Sequence, residues 1–179
     1  MLMTTTTITY TDPTHGFTIE LPYRPLMDDV YVNDDGTAVT FLVHDESCHF
    51  TYDWPDGVTF CEDFSKIDPA DWIDSLNDDC DVYAVGRYEH GLVHYSVAGS
   101  RHYPDMEFDY GISGYIAITR DYADTAEAAN LILSEYSSWC NGEVYGIIEV
   151  PVSDPENYDS CFGFIGYDHA LECATGGGY

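Results

Sequence analysis

The chain has 179 residues and carries 33 Asp and Glu against 5 Lys and Arg, a formal net charge of −28. An apolar fraction of 45% and an aromatic fraction of 15% exclude a disordered acidic tail, because such tails lack the side chains to bury. The length suits one domain with a core of its own, and five scattered cations exclude a direct duplex binder, whose affinity rests on Lys and Arg neutralising phosphates.

The first sixty residues read as short strands joined by turns. Strands at 8–11 and 17–21 flank Asp12-Pro13-Thr14-His15-Gly16. Strands at 30–32 and 37–43 flank Asn33-Asp34-Asp35-Gly36, where Asp-Gly predicts a type I′ hairpin turn. A third hairpin is expected from 50–52 and 58–60 around Trp54-Pro55-Asp56-Gly57, which makes this half an antiparallel meander. Asp68 as N-cap and Pro69 in the first turn predict a short helix to about Leu76. Residues 82–88 and 92–97 form a hairpin through Glu89-His90-Gly91, and 111–118 supplies another strand.

The one long helix is expected from about Tyr122 to Cys140. Ala129, Ile132, Leu133, Tyr136 and Cys140 recur at helical spacing. Asn141-Gly142 stops it, with glycine suited to the left-handed position beyond a helix end. A strand over 143–150, another over 161–165 and a short helix over 167–174 follow, before a Gly-rich tail at 175–179 expected to be flexible. The fold class is α+β: an antiparallel sheet and hairpin meander with one long helix in the second half and one or two short ones. Residues 1–179 are expected to form one domain, with a weak seam near 62–68.

Six cysteines without a CxxC pair read as mostly buried thiols in a reducing compartment, with a disulfide framework or a zinc knuckle as the lesser reading. The start, MLMTTTTITY, has neither a basic nor an apolar leader region, so a cytoplasmic location is expected. No apolar run reaches membrane-spanning length, and the scarcity of cations disfavours anionic membrane surfaces. The only lysine, Lys66, is not in a phosphate-binding loop. Gly111-Ile112-Ser113-Gly114 is one residue short of a nucleophile elbow. His90, His94 and His102 are the one histidine group worth a metal test, but a hairpin need not make them converge. No catalytic residue, metal or cofactor is assigned.

The informative pattern is the acidic one. Asp45, Glu46, Asp53, Asp56, Glu62, Asp63, Asp68, Asp71, Asp74, Asp78, Asp79 and Asp81 are interleaved with Trp54, Phe60, Phe64 and Trp72, with Lys66 as the only base between them. Carboxylates spaced in this way are mounted on folded elements as fixed charges. Duplex DNA carries roughly two charges per base pair, so the net charge equals that of about 14 base pairs, or about 48 Å of duplex. A compact domain of this length has a radius of gyration of about 16 Å, so its charge per unit length is comparable to that of DNA. These twelve carboxylates are the expected contact surface for a basic, nucleic-acid-binding partner. Halophilic adaptation is the competing explanation for the charge, although six cysteines and sixteen tyrosines fit it less well.

In the second half, Ser134-Glu135-Tyr136-Ser137-Ser138-Trp139-Cys140-Asn141-Gly142-Glu143-Val144-Tyr145-Gly146 and Asp159-Ser160-Cys161-Phe162-Gly163-Phe164-Ile165-Gly166-Tyr167 resemble two segments of a family. Its members are small acidic proteins encoded by actinobacterial phages and mobile elements. Tyr88-Glu89-His90-Gly91 and Tyr95-Ser96 fit it less specifically, and the resemblance covers about residues 83–173. The family has no settled activity, so the resemblance implies a setting and no catalytic residues. Physically, Gly146 and Gly163 are expected to allow close backbone approach in strands, and Trp139 with Tyr145 to pack helix on sheet. Acidic DNA mimics of the anti-restriction and anti-CRISPR kind are similar in size and charge only. The expectation is a non-enzymatic phage protein that acts as a DNA-mimic inhibitor of a host DNA- or RNA-binding protein or complex. A homodimer is left open. The alternatives are a metal-assisted or carboxylate hydrolase with an acidic surface, and a phage structural or assembly protein.

Overall fold

In this computed structural model the described residues are 8–21, 27–45, 51–62, 68–76 and 79–176. The strands of the first half are β1 (Ile8–Asp12), β2 (Phe17–Leu21), β3 (Met27–Val32), β4 (Ala38–His44) and β5 (Val58–Cys61). There follow α1 (Pro69–Asp74), β6 (Cys80–His90), β7 (Leu92–Val97), α2 (Met106–Asp109) and β8 (Tyr110–Thr119). The chain continues with α3 (Thr125–Cys140), β9 (Val144–Pro151), β10 (Asp159–Ile165) and α4 (Tyr167–Gly176). All described strand pairs are antiparallel and one of the described helices is long, so the class is α+β. The chain gathers into two compact units, Met1–His49 with Gly142–Tyr179, and Phe50–Asn141, where the sequence suggests one domain. The breaks fall away from the expected seam, most of which (63–67) lies outside the described residues.

In the first unit the sheet order is β10-β9-β4-β3. Strand alternation puts Val39, Phe41, Val43, Ile148 and Val150 on one face, where Ile19 of the β1–β2 hairpin joins them. Leu42, Tyr145 and Ile147 point the other way and meet Ala170 of α4. Both faces of β4 and β9 are therefore covered, which is why these strands read as continuous apolar runs. Burying each of the large side chains contributes about 1.5–3 kcal/mol. The Tyr167 hydroxyl at the start of α4 donates a hydrogen bond to Asp29 on β3. A Cβ at Gly146 would lie 2.3 Å from the Phe162 ring, so this glycine permits close approach, whereas Gly163 supplies the positive φ (97°) of a bulge in β10.

The turn between β3 and β4 differs from the expected type I′. Of its residues only Gly36 has a positive φ, 69°, whereas type I′ needs two. Side chains close the loop together with the backbone bonds Asn33 N–H to Ala38 C=O (3.1 Å) and Gly36 N–H to Asn33 C=O (2.9 Å). Asn33 Oδ1 accepts from the Ala38 N–H at 2.9 Å and Asp35 Oδ1 from the Thr37 N–H at 3.0 Å. Hydrogen bonds from Thr37 hold the Asp35 carboxyl below the usual carboxylate range.

The second unit is the sheet β5-β8-β6-β7 with α3 packed on it. The expected third hairpin is not formed. Residues 51–55 are not a strand, and β5 pairs with β8, Val58 opposite Ile118 and Cys61 opposite Tyr115. Tyr52 and Trp54 turn inward instead, onto Tyr136 of α3, and Pro55 has no N–H for a ladder. The first half is therefore no meander: β1 and β2 form a sheet of their own, and β4 lies between β3 and β9.

The long helix starts at Thr125, capped by Asp124, whose side chain accepts from the N–H groups of Ala126 and Glu127. It buries Ala129, Leu133 and Tyr136 along the expected stripe, and Gly142 (φ 74°) follows its end. A second stripe on the same helix is polar. Asn130, Ser137 and Asn141 accept hydrogen bonds from the N–H groups of Val97, Tyr95 and Val93 at 3.1, 2.8 and 2.9 Å. These are the outward donors of β7, an edge strand, so α3 satisfies an edge that would otherwise be open to pairing. Trp139 stacks on Tyr136 at 5.7 Å, while Tyr145 packs against His44 and Tyr167.

The short helix α2 was not expected; four residues are too few for a periodic signal. Its preceding residue, Asp105, has a positive φ of 56°. The cysteines also differ from expectation: Cys61 is buried, Cys80, Cys140 and Cys173 are half-buried, and Cys161 is exposed. Cys48 and tail residues 177–179 lie outside the described residues.

Candidate partner-binding surface

The expected contact residues divide by position and by task. Glu46, Asp63 and Asp78 lie outside the described residues, and Asp45 is in the first unit, half-buried at the end of β4. The rest are in the second unit. Asp53 and Asp56 are exposed in the segment before β5, and Asp71 and Asp74 are exposed on α1. Asp71 and Asp74 are three apart and so share a helical face. Asp79 is exposed just before β6, and its carbonyl accepts from the Arg120 N–H at 2.8 Å.

Among the described ones of the twelve, Asp68, Glu62 and Asp81 also serve the fold. Asp68 caps α1 by accepting from the Ala70 N–H at 2.8 Å. Glu62 accepts the Tyr95 hydroxyl at 2.7 Å. Asp81 accepts Arg120 Nε at 3.0 Å through one oxygen and the Thr125 hydroxyl at 2.8 Å through the other. The Thr125 bond, with Arg120 beside it, holds the Asp81 carboxyl below the usual range.

Of all the carboxylates whose burial is described, only Asp12 is buried. It accepts a hydrogen bond from the His15 ring at 2.6 Å and lies in the β1–β2 turn. The cations do little to offset the others. Arg87 pairs with Glu89 at 2.6 Å and Arg120 with Asp81, while Arg24 and Lys66 lie outside the described residues. The outward charge is thus negative, with Asp71 and Asp74 on α1 and Asp53, Asp56 and Asp79 on the segments that lead into β5 and β6.

Two of the aromatic residues interleaved with these acids pack inward. Trp54 and Phe60 are half-buried and pack on each other (4.6 Å) and on Tyr136, within a cluster that includes Tyr52, Tyr95 and Trp139. Burial pushes the Tyr52, Tyr95 and Tyr136 hydroxyls well above the ordinary tyrosine range, so they stay neutral donors. Trp72 is half-buried on α1 and Phe64 is not described. Among the described residues of this unit the exposed large apolar side chains are Ile73, Leu92, Phe108, Ile112 and Leu131.

Phe108 and Ile112 border an open groove of about 640 Å³, lined also by Glu62, Arg87, Glu89 and Asp109. Sequence reasoning missed it because its residues come from three separate segments; an apolar pair around Asp109 next to a strand start was the only signal.

The histidines tested for metal binding do not converge. Tyr88, His94 and Tyr103 stack nearly parallel, Tyr88 on Tyr103 at 4.5 Å, and His90 stacks on the same Tyr88. His90 Nδ1 lies 2.8 Å from an Asp109 oxygen, which raises the His90 pKa, and His102 is exposed. Among the described residues no three His, Cys, Asp or Glu side chains are gathered as metal ligands. No described helix is long and apolar enough to cross a membrane. The chain matches no protein-family model, no curated protein and no solved structure.

Proposed function

We propose that this protein is an acidic inhibitor that occupies the nucleic-acid-binding surface of a basic protein or complex. The observation that carries the reading is the fixed, outward and largely uncompensated charge: −28 over 179 residues, with one buried carboxylate among those described. Carboxylates held on strands, turns and helices offer Lys and Arg groups a pre-organised array, as phosphates do on a duplex. Long-range attraction steers the partner in, and contact residues set the release rate. The exposed acids Asp53, Asp56, Asp71, Asp74 and Asp79 are the proposed centre of that array. Glu62, Asp68 and Asp81 contribute charge while holding the scaffold. A phage or mobile-element origin, with a restriction or CRISPR complex of the host as target, is the setting suggested by segments 134–146 and 159–167.

The reading is tested by capture from a lysate of the cell that carries the gene, with elution by duplex DNA at constant ionic strength. A nucleic-acid-binding protein should be retained and then displaced by DNA. Retention that yields to salt but not to DNA contradicts competition for a nucleic-acid surface.

A further inference from the structure

The groove beside α2 has a composition that the proposed acidic array does not explain. Phe108 is 86% exposed and Ile112 52%, large values for side chains whose burial would be favourable. Glu62, Glu89 and Asp109 also line the groove, and among the described lining residues Arg87 is the one cation. Arg87 is already matched, because Glu89 holds it at 2.6 Å. Among the described residues Glu62 accepts a neutral hydroxyl, from Tyr95, and Asp109 faces His90. The groove therefore keeps acceptor charge after its own cation is paired. The Ser113 hydroxyl in its wall is buried with no hydrogen-bond partner among the described residues.

We infer that this groove seats an arginine side chain of the basic partner, with the guanidinium against Phe108 and between the Glu62 and Asp109 carboxylates. The inference rests on the inhibitor reading, and it names the anchor of that interface. Charge complementarity selects a cation. The exposed aromatic face selects arginine over lysine, because a planar, weakly hydrated guanidinium stacks on a ring and still donates in its plane, whereas an ammonium keeps its water. The aliphatic stem lies along Ile112. An aromatic side chain at the centre of a charged interface, ringed by polar groups, is the usual form of an energetic anchor. Nucleic-acid-binding clefts present arginines for phosphates, so one groove of this kind converts general attraction into a defined register.

The test is an amide ¹H–¹⁵N titration of the full chain with N-acetyl-arginine methylamide, its lysine counterpart and its neutral citrulline counterpart. The arginine probe should give saturating shifts confined to residues 87–89 and 108–113. Its affinity should be at least three-fold above that of lysine, with no shifts from citrulline. Phe108→Ala, at an exposed position, should abolish the saturation while leaving the spectrum folded. Shifts that fail to saturate, that spread over α1 and the other acids, or that are equal for arginine and lysine overturn the groove. The same variant separates the two proposals in the capture experiment. If neutralising Asp53, Asp56, Asp71 and Asp74 ends capture but Phe108→Ala does not weaken it, the inhibitor stands and the groove is wrong. If the arginine probe seats in the groove and nothing DNA-displaceable is captured, the groove stands and the inhibitor reading falls.

Discussion

Ser137→Ala isolates one bond in the seam between α3 and β7. Ser137 is 5% exposed, and its Oγ accepts the Tyr95 N–H at 2.8 Å while donating to the Leu133 carbonyl at 2.7 Å. The carbonyl retains a helical N–H after the change, because Ser137 is four residues on. The Tyr95 N–H does not: it points away from β6, on the edge side of β7, and becomes a buried donor without an acceptor. Such a loss costs about 1–3 kcal/mol, against a transfer gain of a few tenths from removing the hydroxyl. A cost of about 2 kcal/mol lowers Tm by roughly 4–8 °C in a chain of this size. Thermal and urea unfolding, followed by tryptophan fluorescence, measure the stability. Amide exchange at Tyr95 locates the effect, with Val93 and Val97 as internal references, since Asn141 and Asn130 still cover them. An unchanged Tm with unchanged Tyr95 protection would refute the claim that the polar stripe of α3 seals this edge.

Other consequences can be checked in the same way. Gly114→Ala places a Cβ 2.3 Å from the Cys61 carbonyl oxygen. Because that contact is backbone, β5 must shift from β8, and urea unfolding should show a loss of about 1–3 kcal/mol or more. Gly99→Ala meets no atom within 4 Å, so only its φ of 81° is strained and its cost should be smaller. His90 has a folded pKa above its unfolded value through Asp109. Its contribution is complete below the unfolded pKa of about 6.5 and disappears as pH rises through the folded value. Histidine NMR titration should therefore show the His90 pKa fall in Asp109→Asn, and no fall would contradict the pair. Asp81 behaves oppositely, with a lowered folded pKa. Its contribution is present above the unfolded pKa of about 3.9 and is lost as pH drops through the folded value. Asp81→Asn should flatten the acid limb of the stability profile; an unchanged limb argues against the bond to Thr125 and Arg120.

Local chemistry carried much of the fold. Asp68-Pro69 and Asn141-Gly142 mark helix ends by capping and by a left-handed glycine, and the alternation of 82–97 marks a hairpin with a two-strand register. Periodicity says which face a side chain takes and is silent about which strand lies beside it. Val39 pairs with Val150 and Val58 with Ile118, separations that no local pattern encodes. A meander pairs only neighbours in sequence, whereas β4 lies beside β9 and β5 beside β8. The same limit hid the site. An acid's exposure was legible, but the inward turn of Trp54 depends on Tyr136, and the groove needs residues 62, 87–89 and 108–113 brought together. The polar stripe of α3 was present in the sequence at 130, 137 and 141, yet its meaning required an edge strand to cover.

The central claim is that fixed carboxylates compete with nucleic acid for one basic surface. The most direct measurement compares the native chain with Asp53→Asn/Asp56→Asn/Asp71→Asn/Asp74→Asn for binding to the captured partner, across ionic strength and with duplex DNA as competitor. None of these four side chains holds a cap or an ion pair described above, so the fold should persist. The account predicts weaker binding, a flatter salt dependence and easier displacement by DNA for the variant. Equal affinity and equal salt slope for the two proteins, with no competition by DNA, would contradict it.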